Sequence, residues 1–315
     1  MAAIEATATP VLGVAAGLAA AAFSAVSYLI SRHHGTRAAG GSLRLLVQAH
    51  VLMGVACLPF VWLLWPAATP PLQGWLPPLL GSAISYLAGQ AVVFAALERM
   101  TASRLAPLLG MKIVMLAMIV SVLPGPRLDL QQWCAVGLSV AAALMLQRSG
   151  GGLPARAFGL VLAACLLFAL ADVCIVALID GLQTEAAGTE PRSARLVAGA
   201  LAMALTYVIC GCVAAAWLPR VSGDGPRAWL AATQYGMAWL AGMIALYTCF
   251  GLVGAVFGNI LQSTRGMMAV VIGAALAHAG WHELEERVDR ATLVRRIAAA
   301  GLMTAAIALY AIDIG

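Results

Sequence analysis

This chain is poor in charge. Only 10% of its 315 residues are Asp, Glu, Lys or Arg, against 63% that are hydrophobic, and its mean hydropathy is +0.94. Soluble domains carry charge on about a quarter of their residues, so this composition excludes an ordinary soluble domain and makes the bilayer the solvent. A net charge of +5 would suggest nucleic acid in a soluble chain; here it bears on orientation, and no nucleic-acid partner is expected. Chemical motifs are lacking too. There is no HExxH, no P-loop, no Gly-rich dinucleotide turn and no pair of carboxylates within an apolar run, so the chain is not expected to be an enzyme or to hold a cofactor or metal. The seven cysteines (Cys57, Cys134, Cys165, Cys174, Cys210, Cys212, Cys249) lie in or beside apolar runs, with no ligand or disulfide spacing beyond a bare Cys210-Gly211-Cys212, and read as packing residues. The first ten residues hold Glu5 and no Lys or Arg, which does not suit a cleaved signal peptide and predicts a retained first span.

What the chain does have is apolar runs near the roughly 20 residues a spanning helix needs. They fall at 11–31, 45–65, 74–97, 102–124, 130–147, 156–179, 195–218, 228–250, 253–278 and 296–313, which predicts an all-α integral membrane protein with ten transmembrane helices. Thirteen arginines follow odd-numbered runs, whereas only Arg127, Arg192 and Arg195 lie on the other side. By the positive-inside rule the odd loops are cytoplasmic and both termini lie outside, in a multi-pass protein of the inner membrane.

Two stretches look like one piece written twice. Shifted by 153 residues without a gap, Leu87 aligns with Leu240, Ala88 with Ala241, Gly89 with Gly242, Phe94 with Tyr247, Ala102 with Ala255, Leu108 with Leu261 and Lys112 with Arg265. The Gly/Pro-rich linker Gln147–Pro154 divides the chain into a first five-helix repeat, 1–150, and a second, 151–315. Five is odd, so the second half enters from the opposite side and the repeats are inverted, together forming one transport domain.

Each repeat buries one cation. Lys112 lies eleven residues beyond Thr101, roughly 16 Å along a helix and near mid-membrane. Arg265 is its counterpart, and Asp172 is the one acidic residue deep in a span. Intramembrane charges are costly and normally face a bundle interior or water, so these three are the candidate site. Two cations near the midplane favour an anionic group, Arg265 holding it bidentately and Lys112 as a point charge. Asp172 is read as a charge partner or a coupling group, and whether it pairs with a cation or exchanges with substrate stays open. Secondary candidates are Tyr86, Gln90 and Trp239, together with Asn259, Gln262 and Ser263, which share one helical face with Gly266. Ser24, Ser27, Tyr28, Gln234 and Tyr235 are further lumen candidates, Pro107 predicts a kink before Lys112, and Trp62, Trp65 and Trp75 predict an outer aromatic belt. His33-His34 and the charged segment His282–Arg290 read as solvated interface. In the first helix, Gly13 and Gly17 form a small-xxx-small face that permits close packing.

The layout resembles the drug/metabolite transporter superfamily, specifically its ten-helix proteins with two EamA-type repeats. The local matches are Ala95-Ala96-Leu97 through Ala102-Ser103-Arg104-Leu105-Ala106-Pro107 to Gly125-Pro126-Arg127-Leu128, then Gln131-Gln132-Trp133, with Gly254-Ala255-Val256 in the second half. Where EamA repeats commonly carry Gly-Glu at the turn between helices 4 and 5, this chain has Gly125-Pro126. The resemblance implies a cavity lined by helices 1, 3, 4, 6, 8 and 9, with alternating access. The expected function is secondary active transport, as an exporter or exchanger, of a small anionic or zwitterionic metabolite. Its expected partners are that solute, the lipid bilayer and a second copy in a homodimer. The alternative is a non-transporting membrane scaffold or lipid-handling protein whose buried charges pair with one another.

Overall fold

Apolar sequence in lipid must satisfy its backbone internally, and it does so here with helices. The computed structural model describes residues 2–35, 41–97, 108–123, 128–147, 155–183, 191–221, 225–268, 272 and 290–312. Among these residues there are ten helices longer than one turn and no strand. They are α1 (Ala2–Gly35), α2 (Gly41–Leu64), α3 (Leu72–Leu97), α4 (Lys112–Val122), α5 (Leu130–Gln147), α6 (Ala155–Leu182), α7 (Pro191–Val221), α8 (Pro226–Val253), α9 (Ala255–Ser263) and α10 (Arg290–Ala311). A 3-10 turn at Leu109–Met111 leads into α4.

Six of these helices, α1, α2, α3, α6, α7 and α8, are long and apolar enough to cross a membrane, whereas the apolar segments Leu109–Val122 and Ala298–Ala311 are shorter. The expected ninth run, 253–278, is not one helix. Gly254 separates α8 from α9 with φ +79° and ψ 167°, a backbone region open only to glycine, and α9 ends at a turn on Thr264 before helix resumes at Arg265. Pro107, the Gly125-Pro126 turn, the linker 148–154, the segment 282–289 and the side chains of His33 and His34 lie outside the described residues.

The closest helix pairs are α3 with α6, α1 with α8, α2 with α7 and α5 with α10; α4 also packs on α6 and α9, and α1 on α9. The Gly13 and Gly17 face meets Val253, Leu261 and Cys249, and a Cβ at Gly17 would come within 2.6 Å of the Leu261 side chain. Large apolar side chains cover the outside, among them Trp62, 82% exposed. Trp75 differs from the belt expectation. It is buried, its ring edge-on to Trp65 at 5.6 Å, and its indole N–H donates to the Pro70 carbonyl at 3.3 Å. Gln234 is exposed on the outer surface, so it does not reach the interior.

Candidate functional site

The deepest charges meet. Lys112, the first residue of α4, and Asp172, midway along α6, are both buried, and the Lys112 ammonium lies 2.9 Å from Asp172 Oδ2. Asn259 on α9 donates its amide to the same Oδ2 at 2.8 Å and to the Ala255 carbonyl at 2.8 Å. One cation is therefore neutralised inside the protein, and the carboxylate is held by charge-assisted hydrogen bonds from two other helices.

Arg265 is placed differently. Its guanidinium carbon lies 5.7 Å from the centre of the Tyr28 ring, a cation–π contact, and among the described residues it has no carboxylate partner. Lys112 and Arg265 carry two positive charges against the single negative charge of Asp172, which leaves this group of three residues with a net +1. Both cations follow a local tightening of the helix. The Lys112 N–H turns back to Gly110 and Leu109 carbonyls, and the Thr264 N–H to those of Gln262 and Leu261. Shorter-range bonds of this kind re-aim the next side chain relative to a straight α-helix.

These residues border a central cavity of about 60 Å³. Its wall takes Tyr28 from α1; Ser82, Tyr86 and Gln90 from α3; Lys112 from α4; Phe168 and Asp172 from α6; Thr206 and Tyr207 from α7; Trp239 and Tyr247 from α8; and Gln262 and Arg265 from the α9 side. The helices expected from the resemblance all contribute, and α7 joins them. Of the sequence candidates, Tyr28, Tyr86, Gln90, Lys112, Asp172, Trp239, Gln262 and Arg265 reach this wall. Asn259 stands behind it and grips Asp172. Ser263 is turned away, its hydroxyl donating to the Ile260 carbonyl at 2.6 Å and lying 2.9 Å from the Met303 sulfur of α10; one residue on from Gln262, it stands about 100° further round α9, on the side that meets α10.

Sequence reasoning named Tyr28, Tyr86 and Trp239 singly and missed Tyr207 and Phe168, which join them into one aromatic side of the cavity. Tyr28 meets Trp239 edge-on at 6.0 Å, the Trp239 indole N–H donates to the Tyr207 hydroxyl at 2.7 Å, Tyr207 lies 6.0 Å from Tyr86, and Tyr86 lies 6.4 Å from Phe168. Behind Tyr86 sits buried His50 of α2. Its Nδ1 is 2.8 Å from the Leu46 carbonyl and its Nε2 is 3.0 Å from the Tyr86 hydroxyl. A carbonyl only accepts, so Nδ1 carries the proton and Nε2 accepts that of Tyr86. The signal that finds His50 is the same that finds Lys112: an ionisable residue within an apolar run.

Two comparisons bear on this geometry. Residues 11–148 match the model of the EamA-like transporter family. A solved crystal structure of a protein superposes with a TM-score of 0.64 at 13% identity, covering 96% of this chain and 98% of its own; at that identity the likeness is one of fold. Among curated proteins there is no match.

Proposed function

Membership of the drug/metabolite transporter superfamily, which the family match supports, is the premise from which we propose that this chain is a secondary transporter of a small solute carrying one anionic group. The solute binds in the central cavity, and alternating access between two inverted halves carries it across. What carries this reading is Arg265: a permanent cation on a cavity wall, with no carboxylate partner among the described residues and an aromatic ring for support.

Packing supports the inverted halves. Exchanging each helix with the one five places away turns α3 with α6 into α8 with α1, turns α4 with α6 into α9 with α1, and leaves α2 with α7, α4 with α9 and α5 with α10 unchanged. The repeat-related glycines also match. A Cβ at Gly89 would press on Phe168 of α6, and one at Gly242 on Phe23 of α1. With ten crossings the arginine-rich loops are cytoplasmic.

Lys112, Asp172 and Asn259 form a closed group, which is what the scaffold alternative requires of the buried charges. The cavity and Arg265 favour transport over it. Because the Lys112–Asp172 pair is buried, removing one partner costs about 3–5 kcal/mol in stability, so Arg265 is the cleaner residue to change. The test is counterflow in proteoliposomes with pools of labelled monocarboxylates, amino acids and sugar phosphates, comparing wild type with Arg265→Gln. Exchange of an anionic class by wild type, reduced at least tenfold in a variant that keeps its gel-filtration profile, is expected. If folded wild type exchanges no pool, transport is refuted and the scaffold reading takes its place.

A further inference from the structure

We propose that the solute is an aromatic monocarboxylate, a flat ring bearing one carboxylate, and this rests on the transport reading above. Three features of the cavity converge on that class.

The first is charge. Asp172 is engaged by Lys112 at 2.9 Å and Asn259 at 2.8 Å, both on the same oxygen, so the group has one positive charge to offer, that of Arg265. A monoanion neutralises it. A dianion such as a sugar phosphate or dicarboxylate brings an uncompensated charge into the interior, where charge is costly. An ammonium group has to compete with Lys112 for Asp172. The cation–π contact at 5.7 Å from Tyr28 uses the charge of the guanidinium, not its N–H donors, which have no partner among the described residues and suit a carboxylate.

The second is the aromatic arc. Tyr28, Trp239, Tyr207, Tyr86 and Phe168 all border the cavity and follow one another at 6.0–6.4 Å or through the Trp239–Tyr207 hydrogen bond, from Arg265 round to the helix that carries Asp172. Centroid spacings of about 4.5–7 Å are those of favourable edge-to-face and tilted ring pairs, so a ring placed among them has partners on more than one side.

The third is what the hydroxyls already do. Ser82 donates to the Leu79 carbonyl at 2.9 Å, Thr206 to the Ala202 carbonyl at 2.8 Å, and Tyr86 to His50 at 3.0 Å. Tyr207 accepts from Trp239 at 2.7 Å. With the protons of Ser82, Thr206, Tyr86 and the Trp239 indole committed, the hydroxyl side of the wall offers a polyhydroxylated solute fewer donors than its residue types suggest, and unmatched polar groups are costly to bury. A ring asks for none.

The test is competition in the counterflow assay, paired with ligand-induced thermal stabilisation of the purified full-length chain, using phenylacetate and indole-3-acetate against cyclohexylacetate, phenylalanine, succinate and glucose 6-phosphate. Phenylacetate is expected to act at two- to tenfold lower concentration than cyclohexylacetate, the range that aromatic pairing contributes. Trp239→Leu and Phe168→Leu, probing the middle and the end of the arc, each bring that ratio towards one, whereas Arg265→Gln weakens both acids and leaves the ratio. Equal potency of the two acids, or stronger action by glucose 6-phosphate, succinate or phenylalanine, overturns the aromatic monocarboxylate while exchange itself upholds transport. Selective stabilisation by the arylacetates with no exchange of any solute upholds the ligand class and refutes transport. Absence of both effects refutes both.

Discussion

At the scale of the residue, the informative side chains are polar groups whose partners lie on other helices. Lys112, Asp172 and Arg265 stand out in the sequence because a charge inside an apolar run has few explanations. Which cation Asp172 neutralises depends on how α4, α6 and α9 approach one another, and nothing in the spacing of residues 112, 172 and 265 encodes that. His50 and Tyr207 were harder to see, since tyrosine is ordinary in a span and a single histidine names no partner. The His50–Tyr86 pair now makes a quantitative prediction. His50→Phe takes the acceptor from the Tyr86 proton and Tyr86→Phe takes the donor from His50 Nε2, each at a cost of about 1–3 kcal/mol, while the double variant, with both polar ends gone, loses less than the two together. Thermal unfolding of the four proteins in one detergent measures this coupling; strict additivity would show that the 3.0 Å contact contributes no net stability.

At the scale of the element, helix existence was legible and helix continuity was not. Apolar run length placed α1–α3 and α6–α8 well, because long Ala/Leu-rich segments in lipid have no competing structure. The expected ninth run failed as one helix at two local events, Gly254 and Thr264. The first was readable in principle, since glycine is the residue that tolerates positive φ, but glycines are so frequent in this chain, 32 in all, that none by itself marks a break. Gly254 adopts φ +79° with nothing within 4 Å of where a Cβ would stand, so strain there is backbone strain alone. Gly254→Ala is expected to destabilise by about 1–3 kcal/mol and to disturb the entry to α9, which carries Asn259 and leads to Arg265. Gly301, a glycine of α10 that also has an open Cβ position but no positive φ, is the control: Gly301→Ala stabilises or is neutral, as alanine outranks glycine in a helix. Equal losses at both positions would mean that the backbone conformation at Gly254 is not what requires glycine.

At the scale of the whole molecule, the question is how many of the ten helices cross. If only the six long apolar helices did, the residues from α9 onward would stay outside, and Arg287, Arg290, Arg295 and Arg296 would lie on the non-cytoplasmic face. Four arginines close to a membrane segment on that side run against the positive-inside rule. If α4, α5, α9 and α10 also cross, these arginines return to the cytoplasm and only Arg127 moves out. A helix need not be continuous to cross when its irregular backbone is enclosed by protein, and Lys112 and Arg265, at the turns of α4 and α9, stand on the wall of the central cavity. Reporter fusions decide between the two arrangements. With ten crossings, alkaline phosphatase fused after Arg127 is active and green fluorescent protein fused after Asp289 is bright; with six, both results reverse, and a fusion after Gly315 reads outside in either case. The first outcome places five crossings in each half, the odd number that inverts the second half and brings Lys112 and Arg265 to one cavity from opposite-running helices.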